Sequence, residues 1–185
     1  IAKLQANPVA IQIPIGAEDK FIGVIDLVKM KALRWDDDAM GADYTVADIP
    51  ADMLAEAKAY REQLIEKVSE VDDQILEMYL HGQEIPEDRI KAALRKRTIE
   101  SVRGEGAPFV PVTCGAAFKN KGVQQLLDAV INYLPSPTDI PPVEGENPET
   151  GKKELREASD SAPFSALAFK ILNDPFVGKL GVFRV

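Results

Sequence analysis

The sequence predicts a mixed α/β fold, and three observations support this prediction. Apolar residues alternate with smaller or polar ones near the N-terminus, helical periodicity follows Pro50, and a strand, a glycine turn and a helix succeed one another from Phe109. Of the 185 residues, 45% are hydrophobic, which is enough for a packed core. Residues 1–5 lack both an initiator Met and the layout of a signal peptide, so we expect a segment of a longer chain.

The N-terminal quarter predicts strands and turns. Prolines at positions 8 and 14 have no N–H to donate, which favours an edge position in a sheet. Residues 21–35 continue the strand-forming composition, and the aspartates at 36–38 predict a solvated loop before an extended segment at 44–49. The alternating apolar residues of the first strand are Val9, Ile11, Ile13 and Ile15.

Three helices are predicted between residues 50 and 97. Pro50 opens the first helix, and Asp72 with Asp73 predicts the cap of the second, which ends at Gly82. The third helix is predicted from Pro86 to a basic end at residues 95–97, where positive charge suits the helix dipole. The first helix carries an apolar stripe at helical spacing, which predicts its buried face: Leu54, Ala57, Arg61, Leu64, Ile65, Val68 and Val71.

The C-terminal half predicts one more strand and helix, a linker and a hairpin. Residues 109–113 form the strand, and a glycine turn and a basic polar loop at 119–122 follow it. Residues 138–162 are acidic and rich in Pro and Gly, which is typical of a linker, and residues 164–172 and 178–185 predict two paired strands. The intervening helix ends before Pro135 and is predicted to face inward with Val123, Leu126, Leu127, Val130, Ile131 and Leu134.

Composition argues against several classes of function. Lys and Arg total 22 against 30 Asp and Glu, a net charge of -8, so strong nucleic-acid binding is not expected. Apolar runs are too short to cross a bilayer, so no membrane association is expected. The single cysteine, Cys114, excludes an internal disulfide and is compatible with the reducing cytoplasm.

Catalytic and metal-binding patterns are also missing from the sequence. One His and one Cys cannot provide a zinc site, and His81 is interpreted as a surface or capping residue. Cys114 is interpreted as a small buried side chain rather than a reactive thiol. The phosphate-binding pattern G-x-x-x-x-G-K-[ST] is absent, the D-x-x-G string at 38–41 is attributed to chance, and Asn120 to Val123 lacks the carboxylate of the guanine-reading N-K-x-D.

Two surfaces are candidates for binding. Residues 51–82 hold eight acidic and three basic side chains, and the outer face of the first helix is predicted to carry Ala55, Ala59, Glu62, Glu66 and Glu70. This face either docks a basic partner or is an ordinary solvated helix face. Small residues between Gly115 and Gly122, followed by Lys and Asn, either bring backbone N–H groups to a ligand or simply connect a strand to a helix.

Several strings resemble bacterial translation elongation factor G over essentially the whole chain. They are I-Q-I-P-I-G at 11–16, G-V-I-D-L at 23–27, C-G-A-A-F-K-N-K-G-V-Q at 114–124, Y-L-P-S-P at 133–137 and the segment 164–178. The resemblance implies a truncated P-loop GTPase-type domain with an α+β insert and the first hairpin of a β-barrel. Residues 1–107 would then be the inserted G-prime subdomain with an edge of the GTPase domain, 108–137 the last strand and helix of that domain, 138–162 a linker, and 163–185 the start of the barrel.

The resemblance also implies a function for the parent protein. Such factors bind GTP with Mg²⁺ and hydrolyse it on the ribosome, in the cytoplasm, to move transfer and messenger RNA. The phosphate loop, switches and metal ligands would lie upstream of Ile1, so this piece alone, expected to be monomeric and free of cofactor, is predicted not to hydrolyse GTP. A release factor or a ribosome-protection GTPase is the alternative within translation, and a stand-alone acidic interaction module is the alternative outside it.

The resemblance assigns roles to both candidate surfaces. The fifth GTPase element, S-A-[LF] in the family, corresponds to Ala116, Ala117 and Phe118, where the backbone N–H of Ala117 would donate to the guanine oxygen. Gly115 and Lys119 flank it, and Ala116 replaces a Ser that is frequent in the family. The first helix of the insert would dock the ribosomal stalk protein through Ala55, Ala59, Glu62 and Glu66. A third helix that opens with Ile85 and Pro86, and an insertion at 102–106, depart from the family pattern.

Overall fold

The computed structural model describes residues 5–35, 41, 43–103 and 107–185. These residues form four α-helices and ten β-strands, most of them paired antiparallel, so the predicted mixed α/β fold is confirmed. The chain divides into two compact units, with the boundary between Pro135 and Ser136. The predicted aspartate loop at 36–38, most of the D-x-x-G string and residues 104–106 of the expected insertion lie outside the described residues.

The alternating N-terminal stretch forms two strands, because a bend at Ile11 divides it into β1 (Asn7–Ala10) and β2 (Gln12–Ile15). β1 pairs in parallel with β6 (Phe109–Val112), in a register that aligns Asn7 with Phe109. β2 joins a different sheet. The bend lets one short apolar stretch contribute to two sheets while all four of its alternating residues, Val9, Ile11, Ile13 and Ile15, stay buried.

The first unit contains a four-stranded antiparallel sheet in the order β2-β3-β4-β5. Its further strands are β3 (Gly23–Asp26), β4 (Lys31–Trp35) and β5 (Tyr44–Ala47). β2 lies at one edge, where the missing N–H of Pro14 is tolerated, so the predicted edge position is confirmed for this strand. The turn between β3 and β4 is held by Asp26, whose Oδ1 accepts the N–H groups of Val28 at 2.8 Å and Lys29 at 2.9 Å.

Three helices share one apolar core with residues of this sheet: α1 (Leu54–Ser69), α2 (Asp73–Leu80) and α3 (Glu87–Arg103). Of the predicted stripe on α1, Ala57, Leu64, Ile65 and Val68 are buried, whereas Leu54 is exposed. Asp72 caps α2 as predicted, with its Oδ1 accepting from the N–H of Gln74 at 3.0 Å and of Ile75 at 3.3 Å. Gly82 ends that helix at φ +64°, also as predicted.

The prediction that the third helix ends at residues 95–97 is wrong, because α3 continues to Arg103. The three basic residues do not lie at the helix end, where they would interact with the helix dipole. They contact residues of other elements instead. Arg95 donates to the carbonyl of Leu134 at 2.9 Å, Lys96 donates to the carbonyl of Val71 at 2.9 Å, and Arg97 forms an ion pair with Glu70. A basic cluster at a predicted helix end therefore reflects neighbouring elements, which the local sequence does not encode.

The last helix of the first unit, α4 (Val123–Tyr133), does not bury the face that its periodicity predicts. Tyr133 and Gln125 are buried, but five large apolar side chains in and just after α4 are between 44% and 74% exposed: Leu126, Leu127, Val130, Ile131 and Leu134. Among the described residues of the first unit, the neighbours of α4 lie on the side of the helix opposite these exposed apolar side chains. The predicted amphipathic pattern is correct, and the predicted direction of the apolar face is wrong.

The second unit contains two hairpins. Strands β7 (Val143–Glu146) and β8 (Lys153–Arg156) pair antiparallel within the segment that is predicted to be a linker. The Asn147 side chain stabilises their turn, because its Oδ1 accepts from Glu149 N at 2.9 Å and its Nδ2 donates to Glu154 at 2.8 Å. The predicted C-terminal hairpin is confirmed as β9 (Leu167–Asp174) and β10 (Gly178–Arg184).

Candidate functional site

The candidate ligand loop, residues 114–122, connects β6 to α4 at the carboxyl end of the parallel β1-β6 pair. Ligands of open α/β sheets bind at this end of the strands, because strands that run in the same direction gather their connecting loops there. A short 3₁₀ helix, Ala117–Lys119, occupies the middle of the loop. The topology therefore puts the predicted residues at an edge of the sheet where a ligand can approach.

Two backbone hydrogen bonds close the loop at its base. The N–H of Ala116 donates to the carbonyl of Lys121 at 2.9 Å, and the N–H of Lys121 donates back to Ala116 at 3.1 Å. Asn120 and Gly122 have positive φ values of +54° and +85°, which complete the reversal into α4. A Cβ at Gly115 would lie 2.8 Å from the carbonyl oxygen of Lys121, so the closed loop requires glycine there.

The exposed rim of the loop presents backbone donors. Gly115, Ala117, Phe118 and Lys119 are exposed and Ala116 is half-buried. Within the described part of the chain, the N–H groups of Ala117 and Phe118 donate to no backbone carbonyl, as is usual for the first positions of a helix. The structure therefore places the five sequence-predicted residues together, with two adjacent N–H groups that a ligand oxygen could accept from.

Lys121 holds this loop against the antiparallel sheet. Its side chain is only 3% exposed, and its Nζ lies 3.4 Å from the carbonyl oxygen of Phe21. Cys114 adds a second link, because its N–H donates to Gln12 Oε1 at 3.3 Å. The interpretation of residues 119–122 as a basic polar loop misses the burial of Lys121, for which the sequence has no local signal. Cys114 and Ala116 also pack on a small apolar cluster of that sheet, formed by Phe21, Val24, Leu33 and Trp35.

Cys114 is half-buried, and His81 lies at the C-terminal end of α2. Burial raises the pKa of the Cys114 thiol to about 11, so the thiol stays protonated and weakly nucleophilic at neutral pH. His81 is the C-terminal capping residue of α2, and its Nδ1 lies 2.8 Å from the carbonyl oxygen of Glu77. This geometry agrees with the interpretation of His81 as a capping histidine.

The second candidate surface lies on α1. Ala55, Ala59, Glu62 and Glu66 are all exposed and follow one another at helical spacing, so the helix brings them onto one face. Neither Glu62 nor Glu66 forms an ion pair with any described residue. The face therefore presents small side chains beside two carboxylates that have no counter-ion in the described part of the chain, which is the arrangement that the docking hypothesis requires. Glu70, the third carboxylate predicted on this face, is instead paired with Arg97.

Two surface cavities lie near α1 and α2, and no residue of the 114–122 loop lines either of them. One, of about 430 Å³, is bounded by α1, the β3-β4 turn and the connection between α2 and α3. The other, of about 280 Å³, lies between α2 and Gln83. Across the described ranges, no group of three or more His, Cys, Asp or Glu side chains could hold a metal ion. No helix in those ranges is long and apolar enough to span a bilayer.

Comparison with known proteins supports the fold. No protein-family model matches the chain. A crystal structure of a protein from Thermus thermophilus matches with a TM-score of 0.64 and 26% sequence identity. The match covers 96% of this chain but only 23% of the Thermus chain, so the sequence spans less than a quarter of the length of that structure.

Proposed function

We propose that this chain is part of a translational GTPase of the elongation factor G type, a protein that couples GTP hydrolysis to the movement of transfer and messenger RNA on the ribosome. Its own contribution is the rim of a purine pocket and a docking surface for the ribosomal stalk protein. Hydrolysis itself depends on the phosphate-binding part, with its Mg²⁺, in the remainder of the protein. A release factor or ribosome-protection GTPase is the alternative that the same rim would suit.

The observation that supports the proposal most directly is the exposed rim of the 114–122 loop. Ala117 N–H has no backbone acceptor within the described residues, and it lies at the first position of a short helix at the carboxyl end of parallel strands. A backbone donor fixed by a closed loop suits the recognition of a purine carbonyl oxygen, because it costs little entropy to order. The neighbouring Ala116, Phe118 and Lys119 would pack beside the base.

The exposed apolar surfaces favour a larger protein. A parallel pair such as β1-β6 is usually found inside a sheet that helices cover on both faces, and five apolar side chains of and after α4 are exposed. In the proposed parent, further strands would extend the β1-β6 pair and further elements would cover α4. The small share of the Thermus chain that this sequence covers is consistent with that arrangement.

The test is GTP hydrolysis by the full-length protein, with and without ribosomes. We expect slow hydrolysis by the protein alone and a large stimulation by ribosomes. A full-length protein that binds no guanine nucleotide would contradict the proposal. Stimulation only by ribosomes that carry a stop codon in the decoding site, rather than by ribosomes before translocation, would favour the release-factor alternative.

A further inference from the structure

The larger of the two cavities adjoins the acidic face of α1 and shares only Glu62 with the predicted sites. It has a volume of about 430 Å³, within the range of pockets that bind ligands or side chains of a partner. Glu62 belongs to both the acidic face and the cavity, so a partner that docks on the face would reach the cavity mouth. We infer that this cavity receives the side chain of a lysine or arginine from a basic segment of a partner protein.

The walls of the cavity suit a long aliphatic stem. Ile65 and Ile85 are 2% and 8% exposed and form its buried side, and Met30 and Pro86 add further apolar surface. Lys and Arg side chains commonly bury their methylene groups along such surface and keep the charged end near water. A short acidic or polar side chain would leave these walls unfilled.

The mouth of the cavity suits a positive charge. Glu62 and Glu84 are exposed and form no ion pair with any described residue, whereas Glu87, the third carboxylate, is paired with Lys91. Tyr79 is 43% exposed at the same cavity, so its ring is available to a cation. Two unpaired carboxylates and an aromatic ring favour an ammonium or guanidinium group over an anion.

The cationic residues of the cavity neutralise that mouth only in part. Arg61 directs its guanidinium inward, where Nη1 donates to the carbonyls of Leu27 at 2.5 Å and Val28 at 2.8 Å. Its charge therefore stabilises the β3-β4 turn, and it also attracts the carboxylates of Asp26 and Glu84. Lys29 is exposed and is the only other basic lining residue among those described. Residues 51–82, which include α1 and α2, carry eight acidic and three basic side chains, so the surrounding surface attracts a basic segment.

This inference rests on the proposed docking function, and the experiment separates the two. Full-length protein is titrated by fluorescence anisotropy, at low ionic strength, with a fluorescein-labelled peptide of alternating lysine and alanine. The same peptide with acetylated lysines keeps the stems and removes the charge. Purified stalk protein is titrated in parallel, and inorganic phosphate is added as a competitor for the cavity.

Matched variants distinguish the cavity from the face. Glu84 lines only the cavity and Glu66 lies only on the face, so Glu84→Gln should weaken peptide binding about threefold and Glu66→Gln should change it less. Tyr79→Leu should also weaken binding about threefold, while Tyr79→Phe retains it. The three side chains that are changed are exposed, and circular dichroism checks that each variant is folded.

Each outcome decides a different point. If stalk protein binds but Glu84→Gln has no larger effect than Glu66→Gln, the cavity inference is overturned and the docking function stands. Equal binding of the acetylated peptide, or displacement of the peptide by phosphate at constant ionic strength, overturns the cationic occupant. If neither stalk protein nor peptide binds the wild-type protein, the docking function and the inference both fail.

Discussion

Lys121 Nζ lies 3.4 Å from the carbonyl oxygen of Phe21, a residue 100 positions earlier in the chain. This contact joins the 114–122 loop to the antiparallel sheet, so that sheet helps to position the rim of the loop. The positions of Ala117 and Phe118 therefore depend on the sheet as well as on β6 and α4.

Replacement of Lys121 tests this connection. Lys121→Ala should destabilise the protein by about 2 kcal/mol, because it removes a buried stem and leaves the Phe21 carbonyl without this donor. Lys121→Met keeps the stem and should cost less. The free energy of unfolding in urea measures both variants, and equal stability of Lys121→Ala and wild type would show that the contact does not hold the loop.

Asp72 is expected to make the stability of α2 depend on pH. Its carboxylate caps the helix and pairs with Arg89 at 2.7 Å, and the hydrogen bond from Arg89 is the main reason that the pKa of Asp72 is lowered. A lowered pKa in the folded state means that this contribution is present above the ordinary Asp range near pH 4 and is lost as the pH falls through the folded-state pKa.

Two substitutions at Asp72 separate the cap from the charge. Asp72→Ala should cost about 1 kcal/mol at pH 7, while Asp72→Asn keeps the cap and should cost less. Urea unfolding at pH 7 and pH 3 provides the comparison. The difference between Asp72→Ala and wild type should shrink at pH 3, and a difference that grows at acidic pH would contradict the assignment.

The exposed face of α4 predicts an unusual tolerance to polar substitution. Ile131 is 74% exposed, so Ile131→Gln should change the free energy of unfolding of this chain by less than about 0.5 kcal/mol. Tyr133, two residues later, is 5% exposed, and Tyr133→Ala should cost about 3 kcal/mol. In the full-length protein the tolerance of Ile131 should disappear if other elements cover α4. A large cost for Ile131→Gln in the isolated chain would contradict the exposed position.

Features set by neighbouring residues could be predicted from the sequence. The cap by Asp72 and the left-handed Gly82 follow from local hydrogen bonding and backbone sterics, and the apolar stripe of α1 follows from helical spacing. The closed loop from Gly115 to Gly122 was also predictable as a turn, because its glycines permit close approach and positive φ.

Features set by distant residues could not be predicted. The bend at Ile11 depends on the pairing of β1 with β6, a strand about 100 residues away in the sequence. The burial of Lys121 depends on its contact with Phe21. The length of α3 is not evident from its sequence because Arg95 and Arg97 have their partners on other elements. The β7-β8 hairpin resembles a linker in sequence because its polar strands lack an apolar alternation.

The proposed contact between the backbone N–H of Ala117 and a guanine nucleotide can be tested directly by substitution. Ala117→Pro removes this N–H at the first position of the 3₁₀ helix, where proline fits the backbone, and Ala117→Ser is the control that keeps it. Isothermal titration of the full-length protein with GDP should show affinity reduced about tenfold in Ala117→Pro and nearly unchanged in Ala117→Ser. Wild-type affinity for GDP in a folded Ala117→Pro protein would contradict the account.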